Sequence, residues 1–312
     1  MGSIGSQRFR MQIVVCVKQV PDTDGPIGLD TVANDIKREG LPYVLNPCDR
    51  LAAEEATLIR ERCGDGGVIA LCMGPPSATE VLRTCLAMGA DRAILLCDPA
   101  LENSDSCVTG VVLARAIAAL RLPYHLILCG ARAVDTNAGL TGPTIAEILR
   151  IPLVTEVVRI DVHGREKATV HKKLEAGNRA VIETPLPALL TVETGINKPR
   201  YLKLRSRLSA SQKQIEQYDL KALGLLPDEV GLTGSKTRVV GVAPPKVRGK
   251  KLFTPDSSLS AAERMRLIMS GGIAQKASSG LLEGDPKTLA SKFVEFLRQK
   301  KLLVHHPVIT NL

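Results

Sequence analysis

Four short apolar runs punctuate the first half of the chain: Gln12–Val17, Val68–Met73, Arg92–Cys97 and Leu126–Cys129. Runs of this length without polar alternation mark strands buried on both faces. Between them, apolar residues recur at helical spacing. Cys48–Arg60 repeats Leu51, Ala56, Leu58 and Ile59 around Glu54 and Glu55. Ser77 opens a second helix with Glu80 three residues on, a capping-box pattern, and Gly89 closes it after Met88. Cys107–Leu120 predicts a third helix, and Pro143 stands where a fourth could start, with Ile145, Ile148 and Leu149 on its apolar face. This alternation predicts an α/β fold: a mostly parallel sheet with helices on both faces and right-handed crossovers, of the Rossmann-like, nucleotide-binding class.

The second half changes character. Leu153–Val162 and Glu166–His171 flank His163-Gly164-Arg165, a hairpin signal, and Arg179–Glu183 and Pro187–Thr191 read as further strands. Residues 195–220 are polar and basic and predict a surface loop or arm. From Val242 the chain is rich in Pro, Lys and Gly; helical patterns follow at Leu259–Met269 and Pro286–Lys300, with a break expected at Ser270-Gly271-Gly272. The chain therefore divides into a disordered segment (1–10), an α/β nucleotide-binding domain (11–194), an arm (195–241) and a C-terminal extension (242–312).

Composition narrows the chemistry. The chain has 312 residues, 3% aromatic, no Trp and a net charge of +9. The charge suits an acidic partner or a polyanionic cofactor. No nucleic-acid motif accompanies it, and the scarcity of aromatics argues against stacking platforms. The eight Cys lie before residue 130, mostly inside apolar runs such as IVVCV and LILCG. They lack CxxC spacing, so they read as small core residues in a reducing compartment, with no metal site. No apolar run is long enough to span a bilayer, and the N-terminus has no secretory h-region. A cytoplasmic protein without membrane insertion is expected.

The richest segment is Leu126–Ile151, LILCGARAVDTNAGLTGPTIAEILRI. A buried strand opens at Cys129-Gly130 into a small-residue loop carrying Asp135, Thr136, Asn137, Gly139, Thr141 and Gly142, then a helix start. Unpaired N–H groups at a helix start suit an anion. Three more loops follow the carboxyl ends of the expected strands: Val17–Pro21, Met73–Pro76 and Asp98–Thr109, the last offering Ser104, Ser106 and Thr109 hydroxyls. Ligands of open α/β sheets sit at that edge. Each loop alone is as readily a turn or a cap. Neither GxGxxG nor GxxxxGK[ST] occurs, and no His pairs with a nucleophile, so side-chain acid–base catalysis is not expected. Beside the electron-carrier subunit that a resemblance described next implies, two readings stay open: a nucleotide-binding α/β enzyme and a non-catalytic scaffold whose nucleotide site has decayed.

The residues also carry a resemblance. Ile13-Val14-Val15-Cys16-Val17-Lys18-Gln19-Val20-Pro21-Asp22-Thr23, Asn46-Pro47, Ala53-Glu54-Glu55-Ala56, Met73-Gly74-Pro75-Pro76, Leu86–Asp91 and Asn197-Lys198-Pro199-Arg200-Tyr201 occur in order. Together they resemble the beta subunit of electron transfer flavoprotein over about residues 11–216. VKQVPDT, the MGPP turn and GPTIAEILRIPLVT are closer to the FixA-like, electron-bifurcating branch. The resemblance implies a heterodimer with a flavin-bearing alpha subunit and a nucleotide in this subunit, AMP in ordinary members and FAD in bifurcating ones. It implies electron shuttling to or from acyl-CoA dehydrogenase-type partners, and a carrier instead of an enzyme.

By matching positions, the nucleotide would be held by Val15, Cys16, Val17 and Lys18, by Cys72, Met73 and Gly74, and by Asp105, Ser106 and Thr109. The 135–142 loop would contribute Asp135, Thr136, Asn137, Ala138, Gly139, Leu140, Thr141 and Gly142. Arg132 is a further candidate for positive charge near flavin or phosphate; its other reading is a surface arginine. Leu204 falls where the family anchors its dehydrogenase. Two departures stand out: Leu140 replaces a usual Gln, and Ser209, Ser211 and Gln212 interrupt a usual lysine cluster.

Overall fold

The computed structural model of the chain describes residues 9–25, 27–30, 35–37, 39–243, 255–269 and 284–300. It divides into two compact units, Met1–Pro244 and Pro245–Leu312. The first is built on a nine-stranded sheet. Its members are β1 (Phe9–Val17), β6 (Gly64–Met73), β7 (Arg92–Leu96), β8 (Leu126–Gly130), β9 (Leu153–His163), β10 (Lys167–Lys173), β11 (Arg179–Pro185), β12 (Ala188–Val192) and β13 (Glu216–Tyr218). Two small ladders lie outside it: β2 (Gln19–Pro21) with β5 (Tyr43–Leu45), and β3 (Leu29–Asp30) with β4 (Asp35–Ile36). The helices are α1 (Pro47–Cys63), α2 (Thr79–Met88), α3 (Ser106–Ala119), α4 (Thr141–Leu149), α5 (Leu204–Gln212) and the short α6 (Gly231–Gly234).

The sheet order is β11-β10-β9-β12-β8-β1-β6-β7-β13. In the sheet order, pairing is parallel from β9 through β13, while β10 pairs antiparallel with both β9 and β11, so among the strands of this sheet it alone is reversed. Alternate residues of β1 feed two cores. Met11, Ile13, Val15 and Val17 face the core that contains α1 and α2 residues; Val14 and Cys16 face the one that contains α3 and α4 residues. A strand covered on both sides must be apolar throughout, which is why these strands show no alternation of polarity.

Several elements differ from the expected ones. β1 begins at Phe9, inside the segment expected to be disordered; residues 1–8 lie outside the described residues. β6 begins at Gly64, because pairing with Phe9–Gln12 holds a Gly-rich stretch extended. Ser77 does not cap a helix: Pro76–Ala78 forms a 3-10 turn, α2 starts at Thr79, and the Ser77 hydroxyl donates to Gln19 Oε1. Residues 195–220 are not all loop: they contain α5 and β13, the latter paired in parallel with β7. The chain after β13 also contributes to a core, through buried Leu220, Leu223, Leu225 and Val230.

The second unit contains α7 (Ala261–Met269) and α8 (Pro286–Gln299). Ser260 and Glu263 bond reciprocally at the start of α7, and Asp285 caps α8 by accepting from the amides of Lys287 and Thr288. The expected break at Ser270-Gly271-Gly272 lies outside the described residues. Among the described residues, no helix is long and apolar enough to cross a membrane.

Candidate functional site

Successive strands β1, β6 and β7 step to one side, and β8 then pairs on the other side of β1. The carboxyl ends of β1 and β8 therefore flank the point where strand order reverses, which leaves a crevice between their outgoing loops. The first turn of α1 fixes both walls. Asp49 Oδ2 accepts from the Lys18 amide at 2.8 Å, and its Oδ1 accepts from the Gly130 amide at 2.9 Å. Asn46, at the N-cap, does not cap its own helix. Its Nδ2 donates to the Arg132 carbonyl and its Oδ1 accepts from the Val134 amide. Asn46 and Asp49 were missed as site residues. The signal was the Asn-Pro-x-Asp start of α1, two polar side chains in an otherwise buried turn.

The Asp49 carboxyl is buried, and that burial pushes its pKa up to about 6, against the pull of the Asn46 side chain, the Gly130 and Lys18 amides and the Lys18 charge. Gly130 is required beside it: a Cβ there would lie 2.7 Å from Cys48 Cβ. Gly142 allows a similar approach, since its Cβ would lie 2.8 Å from Thr191 Cγ2.

Across the crevice, Lys18 Nζ and Asp135 Oδ2 pair at 2.6 Å. The Asp135 carboxylate also accepts from the Thr136 amide, shaping its own loop. Asn137 and Gly139 adopt positive φ of 51° and 64°, and the Asn137 amide donates to the Ala133 carbonyl. This tightened loop delivers the chain to α4, whose N-cap position is Leu140, a residue without a capping side chain and 49% exposed. Pro143 has no N–H and the Thr144 amide donates to the Leu140 carbonyl, so the amides that this first turn leaves without a side-chain cap are those of Thr141 and Gly142. Thr141 Oγ1 donates to the Ser106 carbonyl, joining the loop to the start of α3.

The start of α3 is different. Asp105 accepts from the Val108 amide as a cap, and its other oxygen accepts from the amides of Lys236 and Thr237 and the Thr237 hydroxyl. These bonds hold its carboxyl below the usual range although burial opposes them. Thr109 Oγ1 donates to the Asp105 carbonyl. The carboxylate of Asp105 is therefore taken up by its own chain.

Val15, Cys16, Val17 and Cys72 point into the cores, so only their backbone groups can meet a ligand. Burial pushes the Cys72 thiol up to about 12. Met73 is partly buried, and the Gly74 amide donates to the Leu96 carbonyl at the end of β6. All eight cysteines are free.

Beside the crevice lies a cavity of about 300 Å³, lined by Arg132, Asn137, Ala138, Gly139, Glu156 and Thr191 among others. That is the low end of small-molecule sites. Arg132, its side chain 45% exposed, pairs with Glu156 at 2.9 Å and Glu193 at 3.2 Å. Burial opposes the charge of Glu193. The Thr194 hydroxyl and amide, with Lys173 and Arg132, outweigh it and hold the carboxyl below its usual range.

The Asn197–Tyr201 motif closes on α1 instead of reaching the crevice. Arg200 pairs with Glu54 at 2.9 Å and Glu61 at 2.8 Å, while Asn197 Nδ2 bonds Glu55 and the Leu51 carbonyl. Glu54 and Glu55 are buried, and α1 offers them as anchors for the segment leading to α5. Leu204 opens α5, 71% exposed, with Tyr201 and Leu208 also exposed nearby in sequence.

Comparison with known proteins agrees with this architecture. The electron transfer flavoprotein domain matches residues 34–223. The chain is 39% identical over 245 residues to the caffeyl-CoA reductase–Etf complex subunit CarD of Acetobacterium woodii, covering 78% of this chain and 92% of that one. It is 39% identical over 246 residues to the electron transfer flavoprotein subunit beta of Thermoanaerobacterium thermosaccharolyticum, with the same coverage of 78% and 92%. Protein FixA of Azotobacter vinelandii is 38% identical over 245 residues, covering 77% and 86%.

Proposed function

The chain belongs to the electron transfer flavoprotein family, as a beta subunit serving electron transfer, and on that premise we propose that its β1/β8 crevice holds the adenylate portion of AMP or FAD. One observation carries this reading: α1 pins both walls of the crevice open, while the adjoining α4 start lacks any side-chain cap. The Thr141 and Gly142 N–H groups there and the Lys18 ammonium would receive phosphate, with Asp135 exchanging its pairing as the anion arrives. Gly130 and Gly142 keep the walls thin enough for backbone approach. Thr136, Asn137, Ala138, Gly139 and Thr141 supply the loop that follows the ligand. Bound FAD would bring the redox chemistry; the protein's residues hold it, orient it and tune its surroundings. Leu140 offers no polar group, so that contact would be apolar.

The same premise supplies partners. A flavin-bearing alpha subunit would complete a heterodimer. Leu204, presented on a helix start and not on a loop, would dock a dehydrogenase acting on acyl-CoA thioesters. The relative named for a caffeyl-CoA reductase complex and the FixA relatives favour the bifurcating branch. Eight free thiols suit a reducing, cytoplasmic setting. The role is that of a carrier subunit; no side-chain catalyst is invoked.

Mass spectrometry of nucleotide released from the coexpressed heterodimer tests this. AMP beside one FAD per heterodimer identifies a simple carrier, and two FAD identify the bifurcating type. Release of only the alpha subunit's FAD would sink the proposal.

A further inference from the structure

Helix α5 is poorly equipped to form on its own. It spans nine residues, with serines at 206, 209 and 211, and its only buried residue is Ala210. A helix shorter than about 12 residues is marginal in water. No side chain caps its start, and Lys203, Arg205 and Arg207 place positive charge at that end, against the helix dipole. Its shape is therefore imposed by neighbouring elements. Upstream, Arg200 pairs with Glu54 and Glu61 of α1. At the other end, Arg83 of α2 directs one nitrogen, Nη1, at two carbonyls of α5: Ser211 at 2.9 Å and Ala210 at 3.2 Å. The last turn of α5 has no basic residue, so Arg83 brings the cation that its carbonyl end lacks. The exchange is mutual. Lys213, directly after α5, donates from Nζ to the Ala90 carbonyl at 3.0 Å, just past the end of α2, whose last turn also lacks a basic residue.

We propose that Arg83 is a positioning residue for partner docking: by gripping the last turn of α5, it holds Leu204, at the first turn of the same helix, in the orientation that a dehydrogenase receives. The proposal rests on the docking role of Leu204. A helix clamped at both ends presents its side chains already ordered, and ordering before contact lowers the entropic cost of association. Without the grip, α5 opens locally from its carboxyl end, and docking must first rebuild it. The bonds of Arg83 go to α5 and not to the nucleotide loops, so the effect falls on docking and leaves the cofactor alone.

Steady-state reduction of the coexpressed heterodimer by a short-chain acyl-CoA dehydrogenase supplied with butyryl-CoA tests it, together with hydrogen exchange of residues 204–212. Arg83→Met keeps the aliphatic stem and removes the guanidinium. In that variant the α5 amides exchange about tenfold faster, and the apparent KM for the heterodimer rises about fivefold. The kcat, the bound nucleotide and the unfolding midpoint stay at wild-type values. Arg83→Lys recovers part of both changes, because both bonds leave from one nitrogen and an ammonium can stand in for it. If Leu204→Ala raises KM while Arg83→Met leaves KM and exchange unchanged, this proposal alone is overturned. If neither variant moves KM, the docking role of Leu204 falls and the proposal falls with it. A loss of kcat and midpoint in step with the rise in KM makes Arg83 a general packing residue and also overturns the proposal.

Discussion

Asp49 keeps a carboxyl group in a buried turn, where the backbone amides of Lys18, just past β1, and Gly130, in β8, meet it. Its pKa is pushed up to about 6 from 3.8. A carboxyl raised in the folded state adds stability at low pH, where it is protonated, and that share is lost as pH rises from about 4 through 6. Two pKa units correspond to about 3 kcal/mol. Wild type should therefore lose about 2–3 kcal/mol relative to Asp49→Asn between about pH 4 and pH 6. Urea unfolding of both proteins across that window measures the difference; parallel curves would place the titration elsewhere. At the crevice mouth, Lys18→Ala removes the ammonium that pairs with Asp135 and would receive phosphate. Nucleotide retained through gel filtration should then fall several-fold, by the worth of one charge-assisted bond. Unchanged content would confine Lys18 to a surface pair. Lys18 and Asp135 could each be picked out in the sequence because they flank strand ends. Their pairing could not, since 117 residues separate them and only the strand order brings them together.

At the scale of elements, the buried parallel strands were legible because burial on both faces forces unbroken apolar runs. The strand Glu216–Tyr218 was not, because Glu-Gln-Tyr has no apolar pattern. It is held by backbone pairing with β7 and by the Arg92–Glu216 ion pair at 2.9 Å. Helix α5 was hidden for the same reason: its face is polar, and it is fastened by Arg83 donating to the carbonyls of Ala210 and Ser211. Upstream of it, Arg200 neutralises Glu54, whose side chain is only 3% exposed. Arg200→Ala would leave that carboxylate buried without a cation, at a cost of about 3 kcal/mol in chemical denaturation. Loss of less than about 1 kcal/mol would show that water replaces the guanidinium. Leu204→Ala behaves oppositely. Exposed as it is, its removal should change stability by less than about 0.5 kcal/mol. Electron delivery to an acyl-CoA dehydrogenase should slow in stopped-flow assays with bound nucleotide unchanged. Equal loss of both would make Leu204 a structural residue.

For the whole molecule, the two units differ in charge. Residues 1–244 carry +2 and the remainder +7. Both cores described for the sheet lie within the first unit. A protein ending at residue 244 should keep its unfolding midpoint within a few degrees and retain its nucleotide, while eluting much earlier from a cation exchanger. A collapse in midpoint would mean that the tail supports the sheet.

The strip Glu216–Tyr218 has a consequence beyond its three residues. It covers the outer row of amides and carbonyls on β7, which would otherwise stand ready to recruit another chain. A protease cut between α5 and β13 that let this strip peel away would turn a guarded sheet margin into a seed for aggregation. Protection of this polar connector would then govern the shelf life of the protein.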